Sequence, residues 1–283
     1  MKKQITIPFL ILILMSSSLL MGQTALNFNA AGDFSNSNFL ISTPSYSQDT
    51  GTNGLSSSGS VKTNAAADSI SIYKNQTTDF SQSGTSMVGL YFYLSPTTMT
   101  TANLKPVSVL FASNNTTTPS NALSTNLLTS VETSNPYVRL SLLTTTTDNT
   151  FNLRLYNSSS SLSEMNQSTS ASTLSLTDGN WYYLQLDAST SGSSIALSGS
   201  LYNSDSTGIL GSSILSISNT FTNTSLAADS SVYFGFGGQN ATGVGINNMD
   251  NFTLAVPEPT TYAMIGMLSA LIGFLVFRKI YIS

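Results

Sequence analysis

The chain has 283 residues, only 8% of them charged, with 9 Lys and Arg against 13 Asp and Glu and neither His nor Cys. Without cysteine there is no disulfide, thiol nucleophile or thiolate metal site, and without histidine the usual general base and zinc ligand are missing. Lys2, Lys3, Arg278 and Lys279 hold the ends, so the body sets only Lys62, Lys74, Lys105, Arg139 and Arg154 against all 13 acids; no basic stripe faces phosphate and no nucleic-acid partner is expected.

Lys2 and Lys3, the apolar run Ile5 to Leu14 and the small residues after it read as a secretory signal peptide over residues 1–25, with cleavage after Gly22 or Ala25. Ser, Thr and Asn dominate the body, but 12 Tyr and 14 Phe recur in short alternating runs. That period of two marks half-buried strands rather than a disordered chain. In MVGLYFYLS, Val88, Leu90, Phe92 and Leu94 share one face, with Met87, Tyr91 and Tyr93 opposite. Val138, Leu140 and Leu142 alternate in YVRLSLL, and Phe151, Leu153 and Leu155 in FNLRLYN, which turns Arg154 and Tyr156 outward. In WYYLQLDAS, Tyr182, Leu184 and Leu186 oppose Trp181, Tyr183 and Gln185. SISIYK, VSVLFAS, SIALSGSLYN, SILSIS, SVYFGFGG and DNFTLAV complete about a dozen strands. The stretches NNTTTPSNALSTN and YNSSSSLSEMNQSTSAS read as long loops, and Asp178-Gly179-Asn180 as a turn. The expected fold class is all-β: a jelly-roll β-sandwich over residues 26–254, with a helix in the leader and a helix at the C-terminus.

The tail begins with Val256-Pro257-Glu258-Pro259 and continues as an uncharged apolar run, Tyr262 to Phe277, closed by Arg278 and Lys279. As a helix the run is about 24 Å long, close to a bilayer span once its flanks are added. The two prolines bar the helix from extending backward. Lysines at the start and basic residues at the end place both termini on the cytoplasmic side and the acidic middle outside.

This order of Pro-Glu-Pro, apolar helix and basic end resembles the PEP-CTERM sorting signal, here over residues 255–283, with a basic cluster of only two residues. The resemblance implies processing by an exosortase-type membrane enzyme, an inner-membrane intermediate, and final residence at the cell surface or extracellular matrix of a Gram-negative bacterium that makes exopolysaccharide. The body in turn resembles the concanavalin A-like, or laminin-G-like, jelly roll. The similarity lies in LNFNAAGDFSNSNF, GNWYYLQLDAS, IALSGSLYNSDSTG, SVYFGFGG and MDNFTL. It implies a Trp strand, its neighbour and the late aromatic-Gly strand in one curved sheet.

Catalysis is not expected: a glycosidase needs two carboxylates roughly 5–10 Å apart, whereas Glu132 and Glu164 read as loop-borne and Glu258 belongs to the tail. Carbohydrate binding is the alternative to a purely structural role. Tyr91, Tyr93, Trp181 and Tyr183, with Arg139 and Arg154 as polar companions, form the expected sugar-stacking platform. The bland reading of the same tyrosines is cover for a half-exposed sheet. No cofactor is expected, with Asp33 and Asp250 the only pair that joining the end strands brings toward a structural calcium. The two function readings are therefore a non-catalytic, exopolysaccharide-associated surface protein and a membrane-tethered lectin-like module.

Overall fold

A computed structural model of the chain describes residues 21–35, 37–41, 46–63, 69–95, 104–113, 136–158, 167–238 and 246–257. Thr24–Ala255 forms one compact unit. The described residues of the remainder are Met21–Gln23 and Val256–Pro257, the outer ends of the first and last strands. The expected leader helix, apart from residues 21–25, and the apolar C-terminal run lie outside the described residues. Among those described, no helix is long and apolar enough to cross a membrane.

Fifteen strands are described: β1 (Met21–Leu26), β2 (Phe39–Ile41), β3 (Tyr46–Asp49), β4 (Ser60–Thr63), β5 (Ser69–Thr78), β6 (Gly84–Leu94), β7 (Val107–Ser113), β8 (Tyr137–Thr144), β9 (Thr150–Ser158), β10 (Gln167–Ser175), β11 (Trp181–Ser191), β12 (Ser194–Ser204), β13 (Leu210–Thr222), β14 (Val232–Gly238) and β15 (Ile246–Pro257). A 3-10 turn at Leu55–Ser57 and one helical turn, α1 (Thr224–Ala227), are the only helical pieces among them. The strands build two sheets. One runs β13-β12-β11-β6-β15-β4-β3, with β1 also on β15; the other runs β10-β9-β8-β7-β14-β5-β2. The pairs with a resolved register are antiparallel.

Alternation explains why these runs become strands and which face each buries. Val88, Leu90, Phe92, Tyr182, Leu184 and Leu186 of one sheet are buried, as are Val109, Phe111, Val138, Leu140, Leu153 and Leu155 of the other. The two sets meet between the sheets. Phe236 of β14 lies 5.1 Å from Phe252 of β15, ring centre to ring centre. A Cβ on Gly199 of β12 would come within 2.6 Å of Leu140 Cδ1 on β8, so any side chain there would have to displace Leu140 across the core. One end of this core is a cluster of aromatic rings: Phe28, Phe34, Phe39 and Phe252 surround Phe236. The fold is an all-β, two-sheet antiparallel sandwich.

Two expectations need correction. The aromatic-Gly strand β14 does not share a sheet with the Trp strand; it pairs with β7 and β5 in the opposite sheet. Both sheets bury one face on the same core, so a period of two cannot tell which of them a strand joins. The stretch YNSSSSLSEMNQSTSAS is not all loop either. Its start ends β9, and Gln167 onward is β10, which pairs antiparallel with β9 through a break between Ser170 and Thr173. Small polar residues suffice at a sheet end, where no hydrophobic alternation is required. NNTTTPSNALSTN lies outside the described residues.

Candidate functional site

On β6 and β11 the residues that point away from the core stand side by side. Trp181 pairs with Tyr93, Tyr183 with Tyr91, Gln185 with Gly89 and Asp187 with Met87. Tyr202 of β12 adjoins Tyr183, and Asn248 and Asp250 of β15 adjoin Tyr93 and Tyr91. The Tyr93 and Trp181 rings sit 5.6 Å apart at 52°, and Tyr91 and Tyr183 sit 4.5 Å apart at 44°. Four aromatic residues predicted from sequence thus share one patch.

Two loops then divide the patch. Leu55 packs on Tyr91, Trp181 and Tyr183. The Ser56 amide donates to Ser206 O at 2.6 Å, Ser56 Oγ donates to Thr207 O at 3.3 Å, and Tyr91 Oη donates to Gly208 O at 3.0 Å. Gly208 has φ +87°, which favours glycine, and a Cβ there would also have to displace Leu55 Cδ2, 2.7 Å away. Each loop is held by an aspartate folded onto its own turn. Asp49 accepts from Asn53 Nδ2 and the Gly51 amide; Asp205 accepts from Thr207 Oγ1 and from the Thr207 and Ile209 amides. These donors, led by Asn53 and Thr207 respectively, hold both carboxyls below the usual carboxylate range.

Asp250 anchors the first loop from below. It is fully buried, and its Oδ2 accepts from the Leu55 amide at 2.9 Å and Ser58 Oγ at 2.8 Å. Its Oδ1 accepts from the Asn251 amide at 2.7 Å, where Asn251 has φ +44°. Burial pushes this carboxyl above its ordinary value, against the pull of Ser58 and the Asn251, Leu55 and Phe28 amides. Asp33, by contrast, accepts from the Ala30 amide within its own turn. Asp33 and Asp250 each serve a different loop, and no group of three or more His, Cys, Asp or Glu residues suited to a metal occurs among the described residues.

The division leaves an open cleft of about 590 Å³ beside the loops. Its lining is Trp181 and Tyr93, Thr52–Gly54, Ser56 and Ser57, Ser206 and Thr207, and Asn248. Two rings therefore face hydroxyls, amides and backbone, and no charged side chain belongs to the lining. Tyr91 and Tyr183 do not line the cleft; Trp181 does, but it is itself buried at 7% exposed, so Tyr93 is the more open of the two rings. Tyr183 Oη shares a 2.5 Å hydrogen bond with Thr253 Oγ1 over Gly89, where any Cβ would strike the ring, and burial drives its phenol pKa upward.

Arg139 and Arg154 are not companions of these rings, because both belong to the opposite sheet. Leu140 faces the core, so Arg139 points outward; it is nevertheless 0% exposed, and its Nη2 donates to Ser108 Oγ at 2.6 Å. Arg154 donates from Nε to Ser170 Oγ at 2.8 Å and lies over the Tyr156 ring, 5.9 Å from its centre. Of the sorting residues, Val256 and Pro257 end β15; Glu258, Pro259, Arg278 and Lys279 lie outside the described residues. The polar half of the cleft escaped sequence reasoning. Thr52, Asn53, Ser56, Ser57, Ser206 and Thr207 come from stretches that look like every other Ser/Thr/Asn stretch of the chain.

No family model matches the chain, and no curated protein matches it. Among solved structures it is similar to basic winged bean lectin with Tn-antigen, at 12% identity over 82% of this chain and 98% of that one, with a TM-score of 0.44. It is also similar to lectin II from Ulex europaeus, at 13% identity over 77% and 95%, with a TM-score of 0.40. Arcelin-5, a lectin-like defence protein from Phaseolus vulgaris, is a third, at 12% over 82% and 97%, with a TM-score of 0.41.

Proposed function

We propose that this is an exported, non-catalytic protein of the concanavalin-like jelly-roll type, whose sandwich holds a neutral saccharide in the Trp181–Tyr93 cleft. The observation that carries this reading is the lining itself. The Tyr93 ring, with the exposed part of Trp181 beside it, suits the apolar side of a sugar ring, and the hydroxyls and amides of Ser, Thr and Asn suit its hydroxyls. A cleft without charged side chains favours an uncharged glycan over a phosphorylated or sulfated one. Asp49, Asp205 and Asp250, the described aspartates beside the cleft, spend their oxygens on loop donors, so none of the three is poised as half of a glycosidase carboxylate pair.

The test is glycan-array binding of the full chain, followed by titration with the neutral glycans retained. Trp181→Ala weakens that binding by about tenfold or more, the usual cost of removing an aromatic anchor. Unchanged affinity, or retention of sulfated glycans alone, refutes the cleft.

The address belongs to the same proposal. The signal peptide delivers the body across the inner membrane, and the segment with Val256, Pro257, Glu258, Pro259, Arg278 and Lys279 is read there by an exosortase-type enzyme. A surface or matrix protein associated with exopolysaccharide results; retention of the tail would instead leave a membrane-tethered lectin. Mass spectrometry of the mature protein distinguishes them. The same spectrum locates the N-terminus. Thr24 Oγ1 donates to Gln76 Oε1 at 3.1 Å, and β1 pairs with β15. Cleavage after Gly22 keeps these contacts and is expected; cleavage after Ala25 removes them.

A further inference from the structure

The chain contains a single Asn-Gly pair, Asn53-Gly54, and both residues line the cleft. Because glycine has no Cβ, its backbone nitrogen can approach the side-chain carbonyl carbon of the asparagine before it. Asn53 is exposed, and its Nδ2 donates to Asp49 Oδ2 at 2.7 Å, the leading contact holding that carboxyl in its charged form. Behind Asn53, four amides fix the loop. Gly54 donates to Ser58 O at 2.7 Å, Leu55 to Asp250 Oδ2 at 2.9 Å, Ser56 to Ser206 O at 2.6 Å and Ser58 to Leu55 O at 3.1 Å.

We propose that Asn53 is a site of spontaneous deamidation, and that the carboxylate it becomes loosens this loop and lowers the affinity of the cleft for a neutral saccharide. Only the loss of affinity rests on the saccharide reading given above. The Gly54 nitrogen, its proton lost to water, bonds to Asn53 Cγ; the Cγ–Nδ2 bond breaks, ammonia leaves and a five-membered succinimide closes. Water then opens the ring, at Cγ to give aspartate or at the backbone carbonyl to give isoaspartate. One water enters and one ammonia leaves, with no oxidant and no enzyme. In the closed loop the Gly54 amide is held by Ser58 and Asn53 Nδ2 by Asp49, so ring closure proceeds from the turn in its locally opened state. Afterwards a negative charge stands where an amide donor met Asp49, and the two carboxylates repel. Isoaspartate also adds an atom to the backbone, which shifts Gly54 and Leu55 from their acceptors. Ammonia is lost, so the change is one-way and the cleft ages with the protein.

Peptide mapping by mass spectrometry, on the full chain held at mildly alkaline pH, reads the exchange of NH₂ for OH residue by residue. Asn53 is expected to convert before Asn203, which is also exposed and precedes a small residue, Ser204, but is paired within β12. Asn53→Gln, whose longer side chain closes a ring poorly, abolishes conversion at this position. Hydrogen exchange compares fresh protein with its aged fraction and with Asn53→Asp. In both altered forms the amides of Gly54, Leu55, Ser56 and Ser58 exchange at least about tenfold faster, and affinity for the neutral glycans retained on the array falls about tenfold or more. Asn53 still intact once Asn203 has converted, or loop exchange unchanged in the aged fraction and in Asn53→Asp, overturns the proposal. An array on which the fresh chain retains nothing removes the saccharide reading and the affinity loss with it, while mass and exchange still decide the modification.

Discussion

Phe236→Ala lowers the free energy of unfolding by about 3–5 kcal/mol, the range for removing a buried aromatic ring. The ring has no exposed surface, and its neighbours are five other rings: Phe28, Phe34, Phe39, Tyr46 and Phe252, with centres 5.1 to 6.0 Å away. Those neighbours come from the loop between β1 and β2, two short strands and the last strand, so they cannot close over the gap together. The chain has no disulfide to hold them. Urea denaturation measures the loss, and Phe236→Leu recovers a good part of it by refilling volume. A loss below about 1 kcal/mol, far under the range for a buried aromatic ring, shows that the cluster is not what joins the sheets at this end.

Asp250→Asn is the second large effect, and it links stability to the cleft. The Asp250 carboxyl accepts from the Leu55 and Asn251 amides and from Ser58 Oγ. An amide group must turn its NH₂ toward one set of these donors, leaving buried N–H groups unsatisfied at about 1–3 kcal/mol each. Unfolding free energy therefore falls by about 2–4 kcal/mol. Released from Asp250, the loop bearing Leu55 and Ser56 loses its hold on Ser206, and on the proposed reading affinity for a saccharide in the cleft falls although Asp250 does not line it. The pH dependence has a definite sign. Burial raises the Asp250 pKa, so its contribution is complete below the unfolded value of about 3.9 and declines as pH rises through the folded one. The deficit of the variant is thus larger at pH 4 than at pH 8. Equal stability of the two proteins, or a deficit that grows with pH, removes Asp250 from this role.

The strands were legible wherever burial imposes alternation. Val107–Ser113 matches the expected run residue for residue, and the core and outer faces of β6, β9 and β11 are as alternation predicts. Strands without that constraint were not. β2, β3 and β4 are short pieces near the sheet ends, and β10 reads QSTSASTLS, with no apolar rhythm to betray it. Sheet membership was illegible for a different reason, since the pattern of β14 satisfies either sheet. Half of the site followed the same division. Trp181 and Tyr93 were visible because aromatic residues on the polar face of a strand are unusual. Tyr91 and Tyr183 were visible too, but their burial depends on loops that approach from Leu55 and Gly208, distant in sequence. Arg139 showed as a charge among apolar residues; only the pairing of β8 reveals that it belongs elsewhere.

The last strand, β15, is not at a margin of its sheet but lies between β6 and β4. Synthesis therefore delivers a central plank last, and the earlier strands wait for it with β6 and β4 unjoined. Contacts this distant along the chain form slowly, in the manner of high-contact-order β proteins. The sheet that carries the cleft therefore cannot close until β15 has been made.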